Sequence, residues 1–233
     1  MKRSEINTAI EEAIRLLDKY SFTLPRFAYW SPQEWQAHAD EIDTIRAVGL
    51  GWDVTDFGSH DFARIGAVLF TIRNGKPGHP EVGSPYAEKI LVFRDGQRLP
   101  IHHHAVKTED IINRAGGEME MRFFHRRADG SVDTEREVAY MSDGIAYTAK
   151  AGEPLYITTG NSVRLDPFVN HTFGAREGSG PLVCGEVSKI NDDLTDNYFA
   201  EPTARFAEIE EDEPARFVLC NEYERLVPRG LGG

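Results

Sequence analysis

The sequence predicts a mainly β protein, an antiparallel sandwich or barrel with helices from its N-terminal end packed on it. Apolar residues recur at helical spacing over about the first sixty residues, and short β-like runs separated by turn residues follow from about Phe62. Because the chain has 233 residues, 40% of them hydrophobic, it can bury one large core. We therefore expect one domain over residues 1–233, with a helical extension at 1–60 and a barrel with its C-terminal segment at 62–225.

The N-terminal extension contains two predicted helices. The apolar positions between Ile6 and Leu17 form one stripe at helical spacing, and Ser4 is a suitable N-cap for this first helix. The segment Ser31-Pro32-Gln33-Glu34 combines a capping box with a proline at the first helical position, which predicts a second helix that continues to Gly49. We expect both helices to cover the sheet.

Short apolar runs bounded by turn residues predict the strands of the barrel. They lie at residues 63–73, 87–93, 99–104, 119–125, 146–148, 155–158, 162–165, 171–175 and 182–188, with 217–220 as a candidate for a last strand. Residues 75–85 hold three prolines and three glycines and predict an exposed loop, and the acidic run at 208–214 predicts a solvated segment. Residues 226–230 are similar to a thrombin cleavage site and are left out of the fold prediction.

The segment at residues 96–116 carries a pattern typical of a metal site, G-x5-H-x-H-x4-E-x6-G. Residues two apart on a strand point to the same face, so His102 and His104 can converge on one point while His103 faces away. Glu109 follows after a short bend and can return to the same point. Two imidazoles and a carboxylate suit a divalent transition metal with open coordination positions.

His171 can supply a fourth ligand from a neighbouring strand. The ligand types accept Mn, Fe, Co, Ni or Zn. A histidine run in a solvated loop is the alternative, but the apolar runs at residues 90–93 and 111–112 flank the segment and favour a structured site.

Composition and charge disfavour several classes of binding partner. Lys and Arg number 26 against 38 Asp and Glu, and the resulting net charge of −12 disfavours nucleic acid, anionic membranes and sugar phosphates. The sequence has no apolar run of about 18 residues that would span a membrane, and its first residues lack the apolar core of a signal peptide. Cys184 and Cys220 can pair, but in this context two cysteines favour free thiols, so we expect a cytoplasmic protein.

The pattern at residues 96–116 resembles the first motif of the cupin superfamily. Gly160 and His171 fall at the glycine and histidine positions of the second cupin motif. The usual proline, glycine and asparagine of that motif are replaced by Asp166, Phe168 and Ala175. The resemblance implies a cupin-type double-stranded β-helix, a jelly-roll barrel, in which His171 completes the ligand set.

A narrower resemblance, to the bacterial D-lyxose isomerase family, covers most of the chain. The similar blocks are GLGWDVTDFG at 49–58, YAEKI at 86–90, HHHAVKTEDIINR at 102–114 and IEEDEP at 209–214. Ala105 departs from the family, which has an aromatic residue there. The resemblance implies a manganese-dependent aldose–ketose isomerase that interconverts D-lyxose with D-xylulose, and often D-mannose with D-fructose. Cupins commonly pair through sheet edges, so we also expect a homodimer.

Such a reaction needs a base for the proton on C2 and groups that stabilise negative charge on the sugar oxygens. Glu186 and Glu201 are the candidates for the base, since a buried carboxylate has a raised proton affinity. Lys107 is a candidate catalytic ammonium and Lys89 a candidate substrate-binding one. Candidates for aromatic walls are Trp52, Phe124 and Phe173.

Three alternatives stay open on the sequence alone. An Fe(II) cupin dioxygenase would use the same ligand set with O₂. A non-catalytic cupin would bind a carbohydrate without converting it. Within an isomerase, a hydride shift between C1 and C2 would need a polarised carbonyl but no base acting on carbon.

Overall fold

The structure, a computed structural model that describes residues 1–192 and 195–229, is built from two antiparallel sheets that share one hydrophobic core. The strands are β1 Gly51–Thr55, β2 Ala67–Lys76, β3 His79–Phe93, β4 His102–His103, β5 Glu109–Gly116, β6 Met119–Arg126, β7 Val132–Asp133, β8 Val138–Ser142, β9 Ile145–Ala149, β10 Leu155–Ile157, β11 Ser162–Leu165, β12 Asn170–Ala175, β13 Leu182–Lys189 and β14 Tyr198–Phe199. The helices are α1 Arg3–Lys19, α2 Pro32–Ala37, α3 Asp43–Val48 and α4 Tyr223–Leu226, with a 3₁₀ turn at Arg26–Tyr29.

The larger sheet has the order β1-β2-β3-β13-β5-β11-β8-β9, and the smaller one has the order β10-β6-β12-β4-β14, with β7 paired to β6. Side chains from both sheets fill the space between them, among them Leu91 and Ile111 from the larger and Phe123 from the smaller. This confirms the prediction of a mainly β jelly-roll barrel.

Helix α1 covers the outer face of the larger sheet. Along β2, Leu69 points into the barrel core, whereas Val68 and Phe70 point outward and pack with Ile6 and Ile10 of α1. The alternation follows from the two-residue repeat of a strand. The prediction that the first helix packs on the sheet is therefore confirmed.

The cap of α1 differs from the prediction. Lys2 is the N-cap, and Ser4 lies in the first helical turn. The remote carboxylate of Asp212 accepts hydrogen bonds from the Ser4 amide at 2.9 Å and the Ser4 hydroxyl at 2.6 Å. A carboxylate at a helix N-terminus satisfies a free backbone donor and complements the helix dipole.

The second predicted helix begins as expected, with a capping box between Ser31 and Glu34, but it is not continuous. It ends at Ala37, and α3 starts only at Asp43. The break brings Trp35, Ala39 and Ile42 into one cluster with Tyr223 and Val227 from the C-terminal end. Packing against a remote segment thus overrides the helical pattern. Gly49 ends α3 in the left-handed conformation.

The prediction of a loop at 75–85 is wrong, although most of these residues are exposed as predicted. Strands β2 and β3 extend through most of the segment as a long hairpin, and register shifts between the strands accommodate the glycines. Strands β1, β5, β7, β8 and β14 are absent from the predicted set. In β1 and β5 the apolar pattern is broken by Asp53 and Asn113, which are buried with hydrogen-bond partners from distant segments.

The acidic run at 208–214 is largely exposed, which agrees with the prediction of a solvated segment, but it also lies along α1. Glu210 forms a backbone bridge with Lys2, Glu211 pairs with Arg3 at 2.8 Å, and Glu213 accepts a hydrogen bond from Asn7 at 2.6 Å. Of residues 226–230, which are left out of the fold prediction, Val227 is fully buried and so contributes to the packing of the fold. Gly230 lies outside the described residues.

The possible last strand at 217–220 reduces to a single parallel bridge between Leu219 and Trp52. The two cysteines sit in different hydrophobic clusters, with Cys184 in the barrel core and Cys220 beside the helical cluster. Over the described ranges, none of the helices combines the length and apolar character that a membrane crossing needs.

We expect Glu222→Ala to destabilise the fold by about 3–5 kcal/mol. The Arg3 guanidinium is fully buried and lies 2.5 Å from Glu222, so the variant leaves a buried cation without one of its two carboxylates. Urea unfolding followed by circular dichroism measures the change. Glu135→Ala removes a carboxylate that is 87% exposed and lies 3.9 Å from the half-exposed Arg127, and it is the matched control, with an expected change within about 0.5 kcal/mol. Equal free energies of unfolding for the two variants would contradict the prediction.

Candidate metal centre

Three histidines converge inside the barrel. His102 begins β4, His104 follows that strand, and His171 lies on β12, where it pairs directly with His102. Their ligand nitrogens lie within 4.8 Å of one another, and all three side chains are buried. His103 points to the other side, where it stacks on Tyr198 and lies 3.2 Å from the Asn170 side-chain oxygen.

Backbone carbonyls fix the tautomer of all three rings. His102 Nδ1 lies 2.9 Å from the Pro100 carbonyl oxygen, and His171 Nδ1 lies 2.9 Å from that of Val169. His104 Nδ1 lies 2.5 Å from the carbonyl oxygen of Asp196. A carbonyl only accepts, so each Nδ1 carries the hydrogen and each Nε2 keeps its lone pair. Partners of this kind orient metal-binding histidines.

Burial keeps the imidazoles of His102 and His171 neutral. It lowers the pKa of His171 to about 4, and burial together with the neighbouring His171 and His104 lowers the pKa of His102 well below its usual value. A neutral imidazole is the form that binds a metal.

Glu109, the first residue of β5, places a carboxylate beside the histidines. Its Oε1 lies 3.2 Å from His104 Nε2 and 3.5 Å from His171 Nε2. Burial by itself would raise the pKa of Glu109, but the Lys107 ammonium and the His104 ring hold it well below its usual value. The carboxylate is therefore ionised at neutral pH.

This donor set fits a divalent cation. His171 Nε2 is buried and makes no hydrogen bond, although a buried polar nitrogen normally has a partner. The nitrogens of the three histidines converge, and the Glu109 carboxylate lies beside two of them, so a metal ion bound there would be the missing partner.

A small cavity of about 40 Å³, open to solvent at its mouth, is lined by His102 and His104. Its apolar wall consists of Phe57, Leu69, Leu91, Leu99, Phe173 and Phe199. Its polar wall contains Lys89, Lys107 and Glu186, all nearly fully buried. The cavity therefore joins the metal centre to a charged cluster across an apolar surface.

Strand pairing builds the charged cluster. Glu186 on β13 lies opposite Lys89 on β3, and its Oε1 is 3.7 Å from Lys89 Nζ and 2.9 Å from Lys107 Nζ. Lys107 Nζ also lies 2.7 Å from Glu109 Oε2. Lys107 thus bridges the metal centre and the Glu186 carboxylate.

The structure brings some predicted residues together and leaves others out. Glu201 is exposed and does not line the cavity, so the structure gives no support to it as the base. Of the three candidate aromatic walls, Phe173 lines the cavity, but Phe124 does not. Trp52 packs in the outer cluster and donates a hydrogen bond to the Ala28 carbonyl, so its role is structural.

The sequence patterns do not predict the cavity residues that come from the segment after β13. Asn197, Phe199 and Arg205 line the cavity, and Arg205 pairs with the buried Asp53 at 2.6 Å. They lie in a stretch without strong periodicity. The sequence signal that could have found Arg205 is Asp53, because a carboxylate inside an apolar strand requires a cationic partner from elsewhere in the chain.

A jelly-roll barrel in which three buried histidines converge defines a cupin-type protein with a site suited to a metal ion. The fold agrees with solved structures: Cellulomonas parahominis L-ribose isomerase with L-psicose has a TM-score of 0.55 at 18% identity, covering 90% of this chain and 98% of that one. Acinetobacter sp. DL28 L-ribose isomerase in complex with L-ribose has a TM-score of 0.54 at 17% identity with the same coverage.

The chain belongs to the D-lyxose isomerase family, whose model matches residues 1–223. The D-lyxose/D-mannose isomerase of Serratia proteamaculans is 41% identical over 229 residues, which cover 97% of this chain and 100% of the relative. The enzyme of the same name from Escherichia coli O157:H7 is 42% identical over 233 residues with the same coverage. The resemblance noted in the sequence is therefore confirmed, and the chain is an aldose–ketose isomerase.

Proposed function

We propose that this protein interconverts D-lyxose with D-xylulose, and D-mannose with D-fructose, with the help of a divalent cation. The observation that carries the proposal is the continuous buried arrangement of His104, Glu109, Lys107 and Glu186 along one cavity. It supplies metal ligands, an ammonium and a second carboxylate within reach of one small molecule. The names of the two relatives support the choice of sugars.

We propose His102, His104, Glu109 and His171 as the metal ligands. When bound, a divalent cation supplies Lewis acidity that stabilises negative charge on the sugar oxygens. Manganese is our assignment from the family resemblance, and the same donors also accept Fe, Co, Ni or Zn. Metal analysis of the purified protein tests this assignment.

The chain's own residues handle the proton. We propose that Glu186 accepts the proton from C2 of the aldose, which leaves an enediolate, and returns a proton to C1 to give the ketose. During this transfer one sugar oxygen gains a proton and its neighbour loses one. Because Lys107 and Lys89 flank Glu186, their ammonium groups can donate hydrogen bonds to these oxygens as negative charge develops.

The apolar wall has a separate role. Phe57, Phe173 and Phe199 surround the space between the charged cluster and the metal centre. By limiting water there, they strengthen the interactions of the lysines with the developing charge.

The function is tested with metal-stripped protein reconstituted with Mn²⁺. We expect ketose formation from D-lyxose and from D-mannose, with little activity before the metal is added back. An oxygen electrode should show no O₂ consumption, which separates the isomerase from a dioxygenase. Tight binding of both sugars to the reconstituted protein without any ketose would contradict the proposal and favour a carbohydrate-binding role.

Solvent isotope exchange distinguishes the proton-transfer route from a hydride shift. In D₂O we expect deuterium on C1 of the ketose and on C2 of the recovered aldose, because the Glu186 proton exchanges with solvent between transfers. Mass spectrometry and NMR of the recovered sugars measure the label. Products without carbon-bound deuterium would contradict a role for Glu186 as base.

Three further proposals concern the oligomeric state, the location and the substrate of the protein. We propose that it is a homodimer located in the cytoplasm, with an unphosphorylated sugar as its small-molecule substrate. Light scattering on the purified protein measures the first, and a single-subunit mass would contradict it.

A further inference from the structure

Asp196 holds the turn that connects the metal centre to the charged cluster. It is buried and lies between β13 and β14. Its carboxylate accepts hydrogen bonds from three consecutive backbone amides: Ala105 at 2.7 Å, Val106 at 3.1 Å and Lys107 at 3.1 Å. Its backbone carbonyl accepts the Nδ1 hydrogen of His104 at 2.5 Å. One residue thus contacts four consecutive residues.

The two ends of this turn carry the chemistry. His104 is a proposed metal ligand, and Lys107 contacts both Glu109 and Glu186. The middle of the turn has little packing of its own, because Val106 is 68% exposed. The preceding strand, β4, is only two residues long. The Phe168 amide donates to the His104 carbonyl at 2.7 Å and the Lys189 amide to the Thr108 carbonyl at 3.2 Å, so both ends of the turn are held. Between these ends, the Asp196 carboxylate is the shared acceptor of the three amides.

We propose that Asp196 is a positioning residue that sets the placement of His104 and Lys107 together. This inference rests on the proposed function. Its physical basis is that a carboxylate binding several backbone N–H groups makes charge-assisted hydrogen bonds, which are stronger than neutral ones. Without them the three amides turn to solvent and Lys107 loses its anchor. The Asp196 carbonyl still faces His104, but His104 then sits at the end of a turn that is less well fixed. Displacements of about 1 Å are enough to reduce catalysis strongly.

The experiment compares Asp196→Ala and Asp196→Asn with Asp95→Ala. Asp95 is the matched control, because its carboxylate also binds backbone amides of a distant loop, Gly178 at 3.1 Å and Gly180 at 2.9 Å, but lies outside the cavity. Calorimetric titration of the metal-stripped proteins with Mn²⁺ gives the Kd without any sugar. Turnover of D-lyxose at saturating Mn²⁺ gives kcat separately.

We expect Asp196→Ala to weaken Mn²⁺ binding by about 10–100-fold and to lower kcat even when the metal is saturating. The reduced kcat would report the displaced Lys107. Asp196→Asn keeps one oxygen acceptor and should give a smaller loss of both quantities. Asp95→Ala should bind Mn²⁺ and turn over sugar like the parent protein.

Unchanged Mn²⁺ affinity and kcat in both Asp196 variants would overturn the inference, and so would equal losses in Asp95→Ala. If circular dichroism shows that Asp196→Ala does not fold, the nearly isosteric Asp196→Asn carries the test by itself. A parent protein that binds Mn²⁺ but forms no ketose would overturn the proposed function. The Mn²⁺ titrations would still decide whether Asp196 positions His104.

Discussion

Replacing Glu186 with glutamine is expected to lower kcat by about 10²- to 10⁴-fold, the usual contribution of a general base, while the protein keeps its metal. An amide has nearly the same shape as the carboxylate but cannot accept the proton from C2. The variant should fold, because Lys107 retains Glu109 as a partner at 2.7 Å. Steady-state kinetics with D-lyxose and metal analysis of the same preparation measure the two effects.

Glu201→Gln is the control for this prediction. Both residues were candidates for the base in the sequence, but only Glu186 lines the cavity, and Glu201 is exposed. We therefore expect Glu201→Gln to keep the parent kcat. A large loss of kcat in Glu201→Gln, with little loss in Glu186→Gln, would reverse the assignment of the base.

Replacing His104 with alanine is expected to abolish metal binding and activity while the barrel stays folded. The variant removes one converging imidazole, so the loss should exceed the roughly 10–100-fold that removal of an outer-shell partner costs. The fold should survive because the core is formed by apolar residues such as Leu91, Ile111 and Phe123. Calorimetric titration with Mn²⁺ measures the affinity, and circular dichroism follows the fold.

His103→Ala is the matched control from the same histidine run. His103 is as buried as its neighbours, but its ring faces Tyr198 and Asn170 instead of the metal centre. It should therefore bind Mn²⁺ like the parent protein. Parent-like activity of His104→Ala after treatment with a chelator would contradict the role of these histidines.

The local parts of the fold were readable in the sequence. The stripe from Ile6 to Leu17 and the capping box at Ser31 each depend on residues within a few positions, and the structure has both features. The convergence of His102 and His104 follows from the two-residue repeat of a strand. Their spacing therefore predicted the inward direction of both rings without tertiary information.

The acidic run at 208–214 shows what local reasoning leaves out. A series of carboxylates indicates solvent exposure, and most of this run is exposed. The sequence pattern does not show that Arg3, more than 200 positions away in the chain, is buried against Glu211, or that Asp212 accepts a hydrogen bond from the Ser4 amide in the first turn of α1. Which cations and amides meet such a segment is decided by the path of the chain, which local periodicity does not encode.

By itself the sequence predicted the ligand types and their direction on the strand, because these depend on residue chemistry and short-range spacing, and its resemblance to the cupin superfamily implied the class of barrel. Only the tertiary structure decided that Glu186 and not Glu201 enters the cavity, and that Asp196 anchors the turn between His104 and Lys107. Both outcomes depend on strand register and on contacts between segments about 80–90 residues apart. Such contacts form when distant side chains satisfy one another's buried charges and hydrogen bonds.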